Sequence, residues 1–150
     1  MVTIWFDMDG TIANLYGVEN WLEMLEASDP YPYASAAVML NMSLLARYLN
    51  KLQKLGYQLG IISWLARSCT ESYKEAITQA KLNWLAEHLK SVTFDEINIA
   101  DYGTPKSIFK NNDSDILFDD EERNRTEWGK ESYIPDDIME VLKSLLDSAE

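Results

Sequence analysis

Residues 2–11 read Val2-Thr3-Ile4-Trp5-Phe6-Asp7-Met8-Asp9-Gly10-Thr11, and this stretch decides the fold. Val2, Ile4, Trp5 and Phe6 make a short apolar run of strand-forming residues, of the kind buried in a parallel sheet. The run stops at Asp7, and Gly10 gives the backbone a place to turn out of the sheet. Two carboxylates two residues apart therefore stand at the carboxyl end of a buried strand. In open α/β sheets that end is where ligands bind. The pentapeptide alone also reads as an acidic turn closing a strand, so the rest of the chain has to decide between the two.

Working outward, residues 13–42 do not read as sheet. Val18, Trp21, Leu22 and Leu25 fall on one helical face, and the run Ser28-Asp29-Pro30-Tyr31-Pro32-Tyr33 breaks that helix, because each proline biases its predecessor away from helical geometry. From Ser43, read as an N-cap, an apolar stripe at helical spacing runs through Leu44, Leu45, Tyr48, Leu49, Leu52 and Leu55 to a stop at Gly56. Tyr57 to Ile62 reads as a second strand ending at Ser63. Ser68 and Glu71 have capping-box spacing and open a long helix with Tyr73, Ile77, Ala80 and Trp84 on one side. Thr93 to Ala100 reads as a third strand. Thr104-Pro105 reads as a helix start, and Asp115 to Phe118 as a fourth strand ending in Asp119-Asp120. A short strand near Ser132 to Ile134 and a last helix capped by Asp136 complete the pattern. Strands alternating with helices predict an α/β domain with a parallel sheet covered on both faces.

The chain of 150 residues is the size of one domain, and 47% apolar with 25% charged residues is ordinary for a globular protein. No apolar run is long enough to cross a bilayer, and a single cysteine, Cys69, excludes an internal disulfide; both fit a cytoplasmic protein with no membrane partner. A net charge of −12 argues against duplex nucleic acid as a partner, since such binding works by neutralising phosphates with Lys and Arg. It leaves room for a small phosphorylated substrate, where a metal and one or two local cations invert the sign inside a cleft.

Asp7-Met8-Asp9-Gly10-Thr11 resembles motif I of the haloacid dehalogenase (HAD) superfamily of phosphohydrolases, and Ser63, Lys106 and Asp119-Asp120 follow in the order of its motifs II, III and IV. The resemblance implies a HAD-like, Rossmannoid three-layer sandwich with strand order 3-2-1-4-5, and a small helical cap inserted at residues 13–42 within a single domain, 1–150. Carried over residue by residue, it implies that Asp7 is a nucleophile forming an aspartyl-phosphate and Asp9 the general acid and then base. Mg²⁺ would be held by an Asp7 oxygen, the Asp9 main-chain carbonyl and Asp119, with Asp120 in support. Ser63 and Lys106 would hold the transferring phosphoryl group, joined by Gly10, Thr11 and Trp64 as phosphate-binding positions. Lys110 lies close enough to compete with Lys106 for the motif III role; the helix start at Thr104-Pro105 favours Lys106.

A narrower similarity, carried by Asp7–Ala13, Ile61-Ile62-Ser63, Ala80-Lys81-Leu82-Asn83-Trp84-Leu85 and Asp115–Asp120, is to the bacterial and phage 5'(3')-deoxyribonucleotidases. It implies a 5'-nucleotidase acting on (deoxy)nucleoside monophosphates, with Tyr16, Trp21, Tyr31 and Tyr33 of the cap as candidates to select the base. The alternatives are a phosphatase for another small metabolite or a nucleic-acid 3'-phosphate, and a catalytically silent HAD-like binding module. His88, near the end of the long helix, reads as a residue favoured by the helix dipole, and Glu121-Glu122 as a solvated helix start.

Overall fold

A computed structural model describes residues 1–149. Its central element is a five-stranded parallel sheet built from β1 (Thr3–Phe6), β4 (Gln58–Trp64), β5 (Glu96–Ala100), β6 (Ile116–Phe118) and β7 (Ser132–Tyr133), in the order β5-β4-β1-β6-β7. Counted along the chain this is order 3-2-1-4-5, with the motif I strand in the centre. All four residues of β1 are buried, as its apolar run requires. The short strands β2 (Ala13–Asn14) and β3 (Ala37–Val38) pair antiparallel in a separate ribbon that leaves and rejoins the chain just after the Asp7–Thr11 turn.

Alternation along β1 sends its side chains to two different layers. Ile4 and Phe6 join Leu59, Ile61, Ile116 and Phe118 against α3 (Met42–Lys54) and α6 (Ile138–Ser148), through Leu45, Leu49, Leu52, Ile138 and Leu142. Trp5 and Leu117 face the other way, onto Ile62, Phe109 and Trp128 of α5 (Glu122–Trp128). The long helix α4 (Glu71–His88) contributes Trp84 and Leu85 to the first cluster, and Tyr73, Ile77 and Ala80 to a third one with Leu15, Tyr33 and Leu65. Residues 13–42 also carry α1 (Trp21–Glu26) and α2 (Tyr31–Ser35), and α2 lies against α4.

Asp115 pins the amino end of β6. Its carboxylate accepts from the Thr3 amide (2.8 Å), Trp5 Nε1 (3.0 Å) and the Asn111 amide (2.8 Å), so a buried charge is fully hydrogen-bonded at the sheet edge remote from Asp119.

Several local expectations shift. The N-cap of α3 is Asn41, whose side chain accepts from the Leu44 amide, so Ser43 already lies inside the helix. Thr70 rather than Ser68 caps α4, accepting from the Tyr73 amide, while Ser68 sits at φ 53° in the turn before it. Thr104-Pro105 opens only a 3-10 turn, Lys106–Phe109. The final helix begins after Asp137, which makes no side-chain cap. α1 ends before the prolines, at Ala27, where Ser28 turns at φ 57° and the Asp29 amide donates to the Met24 carbonyl; Pro30 and Pro32 instead start α2, because proline suits the first helical turn. The strand at 93–100 is shorter than its pattern and lies on the sheet edge, with Ile97 exposed.

Candidate active site

The register of the sheet assembles the site. Phe6 pairs with Phe118 and with Ile61, so one step further along each strand places Asp7 beside Asp119, and Ser63 two steps beyond Ile61. The Asp7 amide donates to the Phe118 carbonyl (2.9 Å) and the Asp119 amide to the Tyr133 carbonyl (3.1 Å), which extends the ladder to the site residues themselves. After Asp7 the chain closes a tight turn in which the Met8 carbonyl accepts from Thr11, Ile12 and Ala13. Gly10 occupies this turn at φ 81°, and a Cβ there would run into the Asp120 carboxylate; both facts call for glycine.

Lys106 reaches in from the 3-10 turn. Its ammonium, 1% exposed, lies 2.9 Å from Asp7 Oδ1 and 2.7 Å from Asp119 Oδ2. The other Asp7 oxygen accepts from Thr11 Oγ1 at 2.9 Å. Asp119 is held further by the Glu121 amide (2.9 Å) and Asn124 Nδ2 (3.2 Å). Lys110 is elsewhere: its amine donates to the Trp128 carbonyl and lies over the Trp128 ring.

One carboxylate oxygen from each of Asp7, Asp119 and Asp120 lies within 4.8 Å of the others. Three carboxylates facing one ammonium leave a surplus of negative charge in a poorly solvated place. Burial, followed by the neighbouring Asp7 charge, pushes Asp120 up to about 8 and Asp119 up to about 6. Burial works against the Lys106 charge, but Asp7 and Asp119 outweigh it and hold the ammonium above its ordinary value. A set of hard oxygen donors that titrates upward without a cation is what a divalent ion such as Mg²⁺ fits. Asp7, Asp119 and Asp120 would hold it from their side chains. The Asp9 side chain stands apart from this cluster.

Asp9 instead meets Lys81 of α4. The Lys81 ammonium, also 1% exposed, lies 2.9 Å from Asp9 Oδ2, 2.5 Å from Ser63 Oγ and 2.8 Å from the Trp64 carbonyl. Burial raises the Asp9 carboxyl above its ordinary value, against the opposing pull of Lys81. Sequence reasoning placed Lys81 in a helix motif and gave it no role. A signal was present, for Lys81 stands four residues after Ile77 and three before Trp84, on the buried stripe of its helix.

Asp7, Asp9, Lys106, Asp119 and Asp120 line a cleft of about 420 Å³, while Ser63 and Lys81 are buried behind Asp9 and Trp64. The lining is largely apolar and aromatic, with Leu15, Tyr16, Trp21, Leu25, Tyr33 and Leu65, and it also takes in Arg67 and Tyr102. Tyr16 and Trp21 meet edge to face at 4.9 Å. Tyr31, expected with them, is an exposed residue of α2 outside the cleft, because two residues along a helix point to nearly opposite sides and Tyr33 is the one turned inward. Gly10 and Thr11, expected as phosphate-binding positions, have their own N–H groups engaged within the turn. The Gly10 N–H is taken by the Ala13 carbonyl and the Thr11 N–H by Met8, so what they bring is the turn and a hydroxyl on Asp7. Trp64 lines the cleft with its ring, its Nε1 tied to the Thr104 carbonyl.

The sequence matches no protein-family model and no curated protein. Among solved structures, the fold is similar to that of D,D-heptose 1,7-bisphosphate phosphatase from Burkholderia thailandensis. The two superpose with a TM-score of 0.61 over 97% of this chain and 99% of that one, at 14% identity. The likeness is one of fold: a mostly parallel α/β sheet flanked by helices, Rossmann-like in its strand order. Among the described residues, no helix is long and apolar enough to cross a membrane.

Proposed function

We propose that this protein is a Mg²⁺-dependent phosphomonoesterase of the HAD type that works through an aspartyl-phosphate on Asp7. The observation that carries the reading is the convergence on one sheet edge of Asp7, the buried Lys106 and the Asp119–Asp120 pair, with Asp9 beside them on a second buried ammonium. The fold shared with a sugar-bisphosphate phosphatase supports it.

Asp7, at the end of β1, presents a carboxylate oxygen for in-line attack on phosphorus. As the new P–O bond forms, the bond to the ester oxygen breaks, and the leaving oxygen takes a proton from the Asp9 carboxyl. Burial favours that protonated form. Water then attacks the aspartyl-phosphate, Asp9 takes its proton, and the bond from phosphorus to the Asp7 oxygen breaks to release phosphate. Lys106 and the Ser63 hydroxyl hold the negative charge that spreads over the phosphoryl oxygens. A bound Mg²⁺ would neutralise the phosphate and let a dianion approach a carboxylate.

The substrate we propose is a (deoxy)nucleoside monophosphate. A cleft of about 420 Å³ suits a small molecule, and the residue 13–42 segment, read as a small cap, gives it an aromatic and apolar wall through Tyr16, Trp21 and Tyr33. Such a wall offers a base a flat apolar face, while the charge of −12 disfavours a polymer carrying a 3'-phosphate. A silent binding module would tolerate the loss of a nucleophile or a carboxylate, yet every such position is filled and convergent.

Phosphate release from a panel of nucleoside monophosphates, sugar phosphates and a 3'-phosphorylated oligonucleotide tests the proposal. Release from mononucleotides that vanishes in EDTA and in Asp7→Asn is expected. Activity retained by Asp7→Asn would overturn the mechanism. A preference for the oligonucleotide or a sugar phosphate would overturn the substrate assignment alone.

A further inference from the structure

We infer that Lys81 is a positioning residue that sets the direction of two protons in the active site: the one Asp9 gives to the leaving oxygen and the one Ser63 gives to the phosphoryl group. The inference rests on the phosphatase reading above.

An ammonium carries three N–H donors and no acceptor. All three of Lys81 are spent inside the site, on Asp9 Oδ2 (2.9 Å), Ser63 Oγ (2.5 Å) and the Trp64 carbonyl (2.8 Å). The Tyr33 ring, its centroid 5.0 Å from Nζ, covers the remaining side of the charge. The group is buried and fully bonded, so it has one orientation.

Two consequences follow from donor and acceptor chemistry alone. Ser63 Oγ has to accept from Lys81, so its single hydrogen is free to be given away, and among the described residues the hydroxyl makes no other hydrogen bond. Asp9 Oδ2 is likewise occupied as an acceptor, which leaves Oδ1, with no partner among the described residues, as the oxygen that carries the transferable proton. One buried cation thus assigns a donor to the phosphoryl oxygen and a donor to the leaving oxygen, and ties both to the strand end at Trp64. Its helix, α4, is the one that packs on α2 of the 13–42 segment, so the same residue joins the acid to the wall of the cleft.

The test separates leaving-group protonation from general damage. A nitrophenyl phosphate departs without help from an acid, whereas an alkyl phosphate requires it. With Lys81→Met, kcat/KM for an alkyl phosphate is expected to fall about 10³-fold, in the range associated with a positioned general acid. For the nitrophenyl ester, which loses only the set direction of Ser63, the loss is expected to be about tenfold, comparable with one weakened donor to the phosphoryl group. In an Asp9→Asn background, Lys81→Met should lower the alkyl ester rate no further than the nitrophenyl rate, since residues acting as a unit are not additive.

Equal losses on both esters in Lys81→Met, or wild-type rates, overturn the inference. Should Lys81→Met not fold, the Lys81→Ala protein with added ethylamine supplies the second measurement. Selective return of alkyl phosphate turnover supports the inference, and no selective return overturns it. A wild-type protein that hydrolyses neither ester would instead overturn the phosphatase reading itself.

Discussion

Replacing Asp120 by Asn should stabilise the metal-free protein while weakening its hold on a divalent ion. In the folded state the Asp120 carboxyl is pushed from the ordinary 3.8 to about 8, first by burial and then by the charge of Asp7. Because the folded value lies above the unfolded one, the stability linked to this group is fully present below about pH 4. It is lost as pH rises to about 8, and stays lost above that. At about 1.36 kcal/mol per unit the whole displacement corresponds to about 6 kcal/mol. Asp120 is only half-buried, and solvent screening reduces the realistic penalty to about 2 kcal/mol. Asparagine keeps the shape and keeps an oxygen near Thr11 Oγ1, so the substitution removes charge and little else.

Thermal melts in EDTA should therefore place Asp120→Asn about 4–8 °C above wild type at pH 8.5, using about 2–4 °C per kcal/mol for a chain of this size. Near pH 4 the gain should vanish. With Mg²⁺ at a hundred times its dissociation constant, wild type gains about 2.7 kcal/mol by mass action and the variant less, so the difference closes or changes sign. A variant no more stable than wild type in EDTA at pH 8.5 would refute the reasoning. So would a gain of the same size at both pH values, since its source could not then be ionisation.

The two lysines make a matched pair. Lys106→Met should lower kcat about 10²–10³-fold, and in EDTA it should cost about 3–5 kcal/mol by leaving Asp7 and Asp119 unpaired. Lys110→Met, which loses a bond to the Trp128 carbonyl, should keep kcat within about twofold; steady-state kinetics on both variants would show a reversed order if the assignment is wrong. Gly60→Ala tests the packing of the central strands. Its new methyl would collide with the Trp5 ring, which cannot retreat while Asp115 holds its Nε1, and the cost should be about 3 kcal/mol in a urea titration. An unchanged midpoint would mean that the Trp5–Asp115 bond does not fix the ring.

What the chain declares locally it declares well. The apolar run Val2–Phe6 ended in two aspartates, and the strands ending at Ser63 and at Asp119 are patterns of neighbouring residues, set by the two-residue period of a strand and by turn chemistry. From them the α/β class and the residues of the sheet edge could be read, and the order of motifs supplied the strand order that the sheet adopts. Helix ends were read less well, since Asn41 against Ser43 and Thr70 against Ser68 are near-equivalent caps, and only the path of the incoming chain selects one.

Tertiary structure alone decided which side chains meet. Parallel register set Asp7 beside Asp119. The 3-10 turn aimed Lys106 inward and Lys110 at Trp128. Two residues of α2, a little over half a turn, separated Tyr33 in the cleft from Tyr31 in solvent. Lys81 shows the reason most plainly. A lysine on an apolar helix stripe reads as a misfit, because the carboxylate and hydroxyl that make its burial tolerable come from a turn and a strand 72 and 18 residues away, a separation that no local pattern encodes.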